Sequence, residues 1–183
     1  NYQAAGDAAL LQSVQMVLGG SAKNLNMESF KHLTWFDLKD AGTPEANNYS
    51  FQLLQAAVNM EVLQIMRLGI NDLAPLAKME KLKEIYAYEN DISDLSPMEN
   101  LTNLQFANLY GNQISDLRPL AGLHRLQILL LHMNQISDIT PLLGLANLRE
   151  LDVTGNPVSS EDIERLRKAL PQCRINGQLP SLP

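Results

Sequence analysis

The chain has 183 residues, 45% of them hydrophobic, which suits one domain or one elongated array with a substantial buried core. The 14 basic and 20 acidic residues give a net charge of -6, and without a run of Lys or Arg this balance argues against a nucleic-acid partner. The longest strongly apolar stretch, 128–131, is far too short to cross a bilayer, and a single cysteine excludes an internal disulfide and a cysteine-rich zinc site.

The first segment, residues 1–32, is predicted to form an N-terminal helical cap. Leu10, Val14 and Leu18 recur at helical spacing after Asp7, which is a suitable N-cap residue, and two glycines follow at the end of the apolar run. Such a helix would cover the open end of a core that the following residues build.

The segment 33–59 is predicted to be an irregular first copy of a repeat. Its stretch "LTWFDL" has the alternation of a short strand, with Leu33, Phe36 and Leu38 facing inward. The next copy begins at Met60, so this one has five more residues than the 22-residue copies that follow. We expect the extra length around "AGTPEANNYS" and a helix over "YSFQLLQAAVNM".

Residues 60–158 repeat one phrase every 22 residues. Several columns of equivalent residues define the repeat: Asn90, Asn112, Asn134 and Asn156; Asp72, Asp94, Asp116 and Asp138; Pro75, Pro97, Pro119 and Pro141; and apolar columns such as Leu63, Ile85, Ala107, Leu129 and Leu151. The phrase L-x-x-L-x-L-x-x-N-x-I-x-D-L-x-P-L-x-x-L has the spacing of a leucine-rich repeat.

This pattern predicts a stack of short parallel strands. One strand cannot bury its inward face alone, so stacked copies share a core and pair their backbones. The Asn column is predicted to bond backbone groups of adjacent turns, which makes its role structural. The Asp and Pro columns are predicted to shape turns, since both residue types favour turn conformations. A calcium site is not expected at the Asp column, because one carboxylate per turn lacks the clustered oxygens that calcium requires.

The last segment, residues 159–183, is predicted to be a C-terminal cap. Its stretch "SSEDIERLRKALP" has a capping Ser, acidic residues in the first turn, basic residues in the last and a terminating Pro171. The following "CRI" is expected to add a final edge strand or a plug for the core, and Cys173 is expected to be a small buried residue and not a reactive thiol.

The stretches "AALLQSVQMVLGG" and "NLNMESFKHLTWFDLKDAG", with copies reading "NQISDLRPLAGL", resemble the internalin-like leucine-rich-repeat domains of bacterial surface and secreted proteins. The resemblance implies an α/β solenoid, a curved leucine-rich-repeat stack with a concave parallel sheet, an N-terminal helical cap and a C-terminal capping helix. It also implies an extracellular, cell-surface or periplasmic location in a bacterium, although no signal sequence is visible in the chain.

The outward residues of the strands are predicted to bind a partner, because a repeat scaffold alone specifies no function. In the middle copies these residues are mostly apolar and aromatic, as binding hot spots are. The predicted partner-binding residues of the concave face are Trp35, Met66, Tyr86, Tyr88, Phe106, Asn108, Tyr110, Ile128, Leu130, His132 and Asp152.

The prediction is therefore a non-enzymatic protein-binding module without a cofactor or a metal ion. The three histidines are scattered along the chain, and His132 has no acidic residue in its own column to complete a catalytic triad. Three alternatives stay open: a cytoplasmic regulatory subunit similar to the phosphatase-regulating repeat proteins, a self-associating scaffold, and a glycan-binding protein whose aromatic residues stack on sugars.

Overall fold

The computed structural model describes residues 29–38 and 43–177, and its main feature is one parallel sheet. The sheet has its seven strands in chain order, each paired with the next: β1 Trp35–Asp37, β2 Val62–Gln64, β3 Glu84–Tyr86, β4 Phe106–Asn108, β5 Ile128–Leu130, β6 Glu150–Asp152 and β7 Arg174–Asn176. The predicted leucine-rich-repeat solenoid is thus confirmed. The predicted N-terminal helix lies outside the described residues, which begin with a 3-10 helix, Ser29–His32.

The strands are short because only three residues per copy form the regular ladder. The middle residue of each strand points inward, and Leu63, Ile85 and Leu129 are fully buried. The next inward position lies just beyond the strand, yet Ile65 and Leu131 are also fully buried. Each such aliphatic side chain stabilises the stack by about 2 kcal/mol, and no single repeat could bury them alone.

The side opposite the sheet consists of short helical turns. After the first copy, each turn is a 3-10 helix: Ala74–Lys78, Ser96–Met98, Arg118–Leu120 and Thr140–Leu142. The aspartate column starts these turns, since Oδ1 of Asp94 and of Asp138 accepts a hydrogen bond from the backbone N–H two residues later, at 2.8 Å in both cases. A local bond of this kind is the turn geometry predicted for the column.

The first copy differs from its prediction, because its helix begins earlier. Helix α1, Pro44–Leu53, includes the "PEANN" stretch to which the extra length of this copy was assigned, and a 3-10 helix, Leu54–Ala56, follows it. Thr43 caps α1, accepting at Oγ1 from the Ala46 N–H at 3.2 Å, and Pro44 occupies the first turn, where it loses no hydrogen bond. These two signals start the helix at Pro44, five residues before Tyr49, where the sequence predicted its start.

The asparagine column joins each copy to the one before it. The side chain of Asn112 is buried, and its Oδ1 accepts from the Ile92 N–H at 3.0 Å. Its Nδ2 donates to the carbonyl oxygens of Ala87 and Leu109, both at 3.0 Å. Asn90, Asn134 and Asn156 repeat these three bonds in their own copies. One side chain thus satisfies three backbone groups that the core removes from water.

Leu68 occupies the asparagine position of its copy, and helix α1 supports that turn through different hydrogen bonds. Asn47 donates from Nδ2 to the Leu68 carbonyl at 3.0 Å, and Asn48 donates to the Gly69 carbonyl at 2.7 Å. The Asn48 Oδ1 also accepts from the Asn71 N–H at 3.2 Å. The longer first copy therefore supports the turn that lacks its own asparagine.

The C-terminal helix and edge strand are present as predicted. Helix α2, Ser160–Ala169, is capped by Ser159, whose Oγ accepts from the Asp162 N–H at 3.1 Å, and it buries Ile163 against the core. Strand β7 then extends the sheet next to β6.

Cys173 is half-buried, and this burial raises the pKa of its thiol to about 11. Within 29–38 and 43–177, no helix has the length and apolar character that a bilayer span requires.

Candidate binding surface

The outward-facing residues of the sheet form straight columns because neighbouring strands pair without a shift. One column runs through Trp35, Val62, Glu84, Phe106, Ile128 and Glu150, and a second runs through Asp37, Gln64, Tyr86, Asn108, Leu130 and Asp152. A third outward position follows the strand ends and contains Met66, Tyr88, Tyr110, His132 and Thr154. From strand β2 onward these are the columns that the 22-residue period predicts, and strand β1 joins them across the longer first copy.

The third position contains a stack of three rings. Tyr88 and Tyr110 have ring centroids 5.0 Å apart with planes 9° from parallel, and Tyr110 and His132 have centroids 4.3 Å apart with planes at 8°. The backbone remains paired beyond the strands, since the Glu89 N–H donates to the Tyr110 carbonyl at 2.9 Å and the Gly111 N–H donates to the His132 carbonyl at 3.0 Å. This continued pairing holds the rings in register.

A charged group closes one end of this ring stack. The Arg67 guanidinium lies over the Tyr88 ring, 5.6 Å from its centroid, and also pairs with Glu89. The Tyr110 hydroxyl donates to Glu89 Oε1 at 2.6 Å. The hydrogen bond from Arg67 and then that from Tyr110 lower the pKa of Glu89, and Glu89 in turn raises the pKa of the Tyr110 phenol. These contacts orient the Tyr110 ring at both its face and its hydroxyl.

Sequence reasoning missed Arg67 and Glu89. Both have a left-handed backbone, with φ of 60° and 53°, at a repeat position that holds glycine at Gly111 and Gly155. Glycine in two copies of one column was the available signal, because it marks a left-handed turn at the sheet edge. At that edge the side chains of Arg67 and Glu89 reach the ring stack.

Tyr86 and Phe106 form a second aromatic contact next to the ring stack. They lie on the adjacent strands β3 and β4 with ring centroids 4.8 Å apart and planes at 33°. The Tyr86 hydroxyl donates to Glu84 Oε2 at 3.0 Å, and burial, followed by that hydrogen bond, raises the pKa of Tyr86. The aromatic surface thus spans two neighbouring columns of β3 and β4.

Strand β5 adds two aliphatic side chains to the aromatic residues. Ile128 is paired in register with Phe106, and Leu130 with Asn108; all four are half-buried. Asn108 turns partly toward the backbone, since its Oδ1 accepts from the Tyr110 N–H at 3.5 Å. We call the set Tyr86, Tyr88, Phe106, Tyr110, Ile128, Leu130 and His132 the concave aromatic surface.

His132 has an acidic neighbour that lies outside its own column. Asp152, on β6, has Oδ2 4.0 Å from His132 Nδ1, while its Oδ1 accepts from the Thr154 N–H at 2.9 Å. The His132 Nδ1 is buried and has no hydrogen-bond partner among the described residues. Asp152 is a diagonal neighbour of His132, so the residues in the column of His132 did not predict this contact. No described serine, threonine or cysteine hydrogen-bonds to His132, so the pair does not form a Ser-His-Asp arrangement.

Two of the predicted partner-binding residues lie away from the centre. Trp35, on β1, is 44% exposed and is separated from the tyrosines by strand β2. Met66 follows β2 in the same position as Tyr88 and is half-buried. The structure therefore brings the residues of strands β3 to β5 together and leaves Trp35 at the rim.

Carboxylates surround the concave aromatic surface. Glu84 and Glu89 lie on the side of β3, while Glu150 and Asp152 lie on β6. Within 29–38 and 43–177, no group of three or more His, Cys, Asp and Glu residues is arranged to hold a metal ion. The arrangement offers aromatic faces, aliphatic side chains and an acidic rim, which are the elements of a macromolecular contact surface.

Comparison with known proteins agrees with this architecture. Residues 102–144 and 124–168 match the family model described as Leucine Rich repeats (2 copies). No curated protein sequence matches the chain.

Solved structures with the same fold include two from Listeria monocytogenes. Internalin C2 superimposes with a TM-score of 0.67 at 24% identity over 92% of both chains. Internalin F superimposes with a TM-score of 0.64 at 21% identity over 93% of this chain and 63% of its own. A leucine-rich-repeat protein of Leptospira interrogans gives 0.58 at 20% identity over 84% and 52%. The chain thus has a leucine-rich-repeat fold that is similar to the fold of the internalins.

Proposed function

We propose that the chain is a non-enzymatic module that binds a protein partner through the concave aromatic surface. The observation that carries this proposal is the ring stack of Tyr88, Tyr110 and His132, continued by the Tyr86–Phe106 contact. A leucine-rich-repeat core does not require these outward rings, because the inward columns already supply its packing. Large aromatic side chains grouped at the centre of a face are typical of binding hot spots.

The surface is ordered before any partner arrives, which favours binding. The Tyr110 ring is stacked on both faces and tied to Glu89, so contact with a partner would freeze few additional rotamers. Immobilising a flexible side chain at an interface costs about 1 kcal/mol, a cost that these contacts have already reduced. The acidic rim of Glu84, Glu89, Glu150 and Asp152 favours a partner with basic residues around an apolar centre.

We further propose that the protein acts at the surface of a bacterium or after secretion from it. The internalin-like fold, shared with proteins of Listeria and Leptospira, supports this location. Cell fractionation of the source organism with an antibody against the chain tests it. Recovery in the medium or in the surface fraction is expected, and recovery confined to the cytosol would overturn this part of the proposal.

The binding test compares a double variant with a control of equal charge change. Tyr110→Glu with Leu130→Glu places two carboxylates in the concave aromatic surface, whereas Ser93→Glu with Gln135→Glu places two on exposed turns. Both proteins and the wild type are applied to an array of purified extracellular proteins. We expect a partner that binds the wild type and the control but binds the concave variant at least about 30-fold more weakly, which corresponds to about 2 kcal/mol.

Two results would overturn the proposal. Equal binding of a partner by all three proteins would place recognition elsewhere on the molecule. Light scattering after size-exclusion chromatography supplies the other: a wild-type dimer that the concave variant converts to a monomer would assign the surface to self-association. Thermal unfolding of each variant verifies that the fold is retained.

A further inference from the structure

A polar cleft lies beside the beginnings of strands β4, β5 and β6, away from the concave aromatic surface. Its volume is about 490 Å³, and its lining consists of Gln105, Arg125, Gln127, Asn147 and Arg149. Every lining residue is polar or charged: two guanidinium groups and three carboxamides, with no carboxylate. We call this feature the basic cleft.

The repeat geometry brings these five side chains together. Gln105, Gln127 and Arg149 each precede a strand by one residue, and the Gln127 N–H donates to the Gln105 carbonyl at 2.8 Å. The Arg149 N–H donates to the Gln127 carbonyl at 2.7 Å. Arg125 and Asn147 occupy another repeat position, two residues earlier in their copies. Because paired strands lie about 4.8 Å apart, the two arginines extend from adjacent rungs of one rigid ladder.

Both guanidinium groups are oriented by neutral acceptors. Arg125 donates from Nη1 to Asn103 Oδ1 at 2.7 Å. Arg149 donates from Nη1 to the carbonyl oxygens of Ala146 and Leu148, at 3.2 and 3.4 Å. A guanidinium group has five N–H donors, so these contacts hold each side chain in place and leave further donors for a ligand.

Neither Arg125 nor Arg149 has a carboxylate partner among the described residues, a property that they share with Arg165 and Arg174, which do not line the cleft. Arg67, Arg118 and Arg167 each pair with an aspartate or a glutamate, whereas Arg125 and Arg149 form no ion pair in the described part of the chain. The whole chain has a net charge of -6. Two unneutralised guanidinium groups in one cleft of an acidic protein form a local site of positive potential, which attracts an anion.

The lining also indicates which kind of anion fits. The planar N–H fork of arginine matches carboxylate, sulfate and phosphate oxygens in a bidentate manner. The amides of Gln105, Gln127 and Asn147 offer both donors and acceptors, which suit hydroxyl groups. The lining contains no apolar side chain to accommodate the apolar anchor of a peptide. A hydroxyl-rich ligand that bears oxyanions satisfies all three properties.

We propose that the basic cleft binds an acidic saccharide, with Arg125 and Arg149 holding its sulfate or carboxylate groups and the amides holding its hydroxyl groups. The cleft shares no residue with the concave aromatic surface. The protein-binding proposal and the saccharide proposal can therefore succeed or fail separately.

The test is calorimetric titration of the full chain with a sulfated, uronate-containing tetrasaccharide derived from heparin. Uncharged maltotetraose and sodium sulfate serve as the comparison ligands. We expect the Arg125→Gln, Arg149→Gln variant to bind the tetrasaccharide at least about tenfold more weakly than the wild type. The control, Arg118→Gln with Arg167→Gln, removes the same charge elsewhere and should retain wild-type affinity.

A second pair of variants separates the saccharide from its charge. Gln105→Ala with Gln127→Ala should weaken tetrasaccharide binding while leaving sulfate binding unchanged. Arg125→Lys with Arg149→Lys retains the charge but removes the planar fork, and should bind less tightly than the wild type. Unfolding midpoints close to that of the wild type establish that each protein is folded.

Several outcomes would overturn the proposal. Wild-type protein that does not bind the tetrasaccharide would end it, as would an equal loss of affinity in the Arg118, Arg167 control, which would indicate unspecific attraction by charge. In another outcome, sulfate binds as tightly as the tetrasaccharide while Gln105→Ala with Gln127→Ala leaves tetrasaccharide binding unchanged. That result would reduce the cleft to a site for simple oxyanions. Binding of maltotetraose with the same affinity would remove the role of the guanidinium groups.

Discussion

Replacing Asn112 by alanine tests whether the asparagine column holds the stack together. The side chain is buried and forms three bonds of 3.0 Å, accepting from the Ile92 N–H and donating to the carbonyls of Ala87 and Leu109. A buried hydrogen bond contributes about 1 kcal/mol, and leaving the Ile92 N–H unpaired adds to the loss. We therefore expect Asn112→Ala to lower the free energy of unfolding by about 3 kcal/mol.

The assay is urea unfolding followed by circular dichroism, with amide hydrogen exchange at Ile92 as a local measure. Gln113→Ala is the matched control, because Gln113 is exposed and bonds Asp91 at 3.1 Å on the surface. Its expected effect is within about 0.5 kcal/mol. An Asn112→Ala loss no larger than that of the control, with unchanged exchange at Ile92, would refute the reasoning.

Asn112→Asp separates the accepting from the donating function of the same side chain. A carboxylate can still accept from the Ile92 N–H, but it cannot donate to the two carbonyl oxygens and would face them at about the same distance. We expect this variant to lose at least as much stability as Asn112→Ala at neutral pH. Wild-type stability in Asn112→Asp would show that the Ile92 bond alone carries the effect.

Two further predictions concern the turns. Gly69→Ala should destabilise the fold by more than about 1 kcal/mol, because φ of Gly69 is +65° and the new Cβ would lie 2.8 Å from the Pro44 Cβ. The control, Gly122→Ala, should be tolerated, because its new Cβ meets no atom within 4 Å. Equal unfolding midpoints of the two variants would contradict this prediction. The side-chain hydrogen bond from Arg118 lowers the pKa of Asp116 from 3.8 to about 2, so the pair stabilises the fold above pH 3.8 and this contribution disappears as the pH falls through about 2. Asp116→Asn should therefore reduce the acid sensitivity of the unfolding midpoint in that range, and an unchanged pH profile would exclude the effect.

The sequence was sufficient for every feature that depends on the 22-residue period. The period determined which residues face inward, the register of the strands and the positions of Tyr86, Phe106 and Leu130 on the outer face. It did so because a parallel stack without register shifts places equivalent residues of successive copies side by side. The Asp column was recognisable for a similar reason, since its hydrogen bond joins residues only two positions apart.

The features that the period did not indicate lie where the repeat is irregular. Helix α1 was predicted to start at Tyr49, but the Thr43 cap and Pro44 start it at Pro44. Both signals lie inside an apparent insertion, where the repeat period gives no position for a helix. The support that Asn47 and Asn48 give to the turn at Leu68 could not be assigned from the sequence. These two asparagines precede Leu68 and Gly69 by 21 residues, and only the path of helix α1 places them next to that turn.

By itself, the sequence determined the solenoid, its parallel sheet and the columns of the concave face, because periodic spacing specifies where each backbone position lies. Only the tertiary structure decided which side chains meet diagonally between columns. The contact of Tyr110 with Glu89, the approach of Asp152 to His132, and the joining of Arg125 with Arg149 in one cleft belong to this class. Side-chain torsions and charges on neighbouring copies set these contacts, and neither follows from the spacing of residues along the chain.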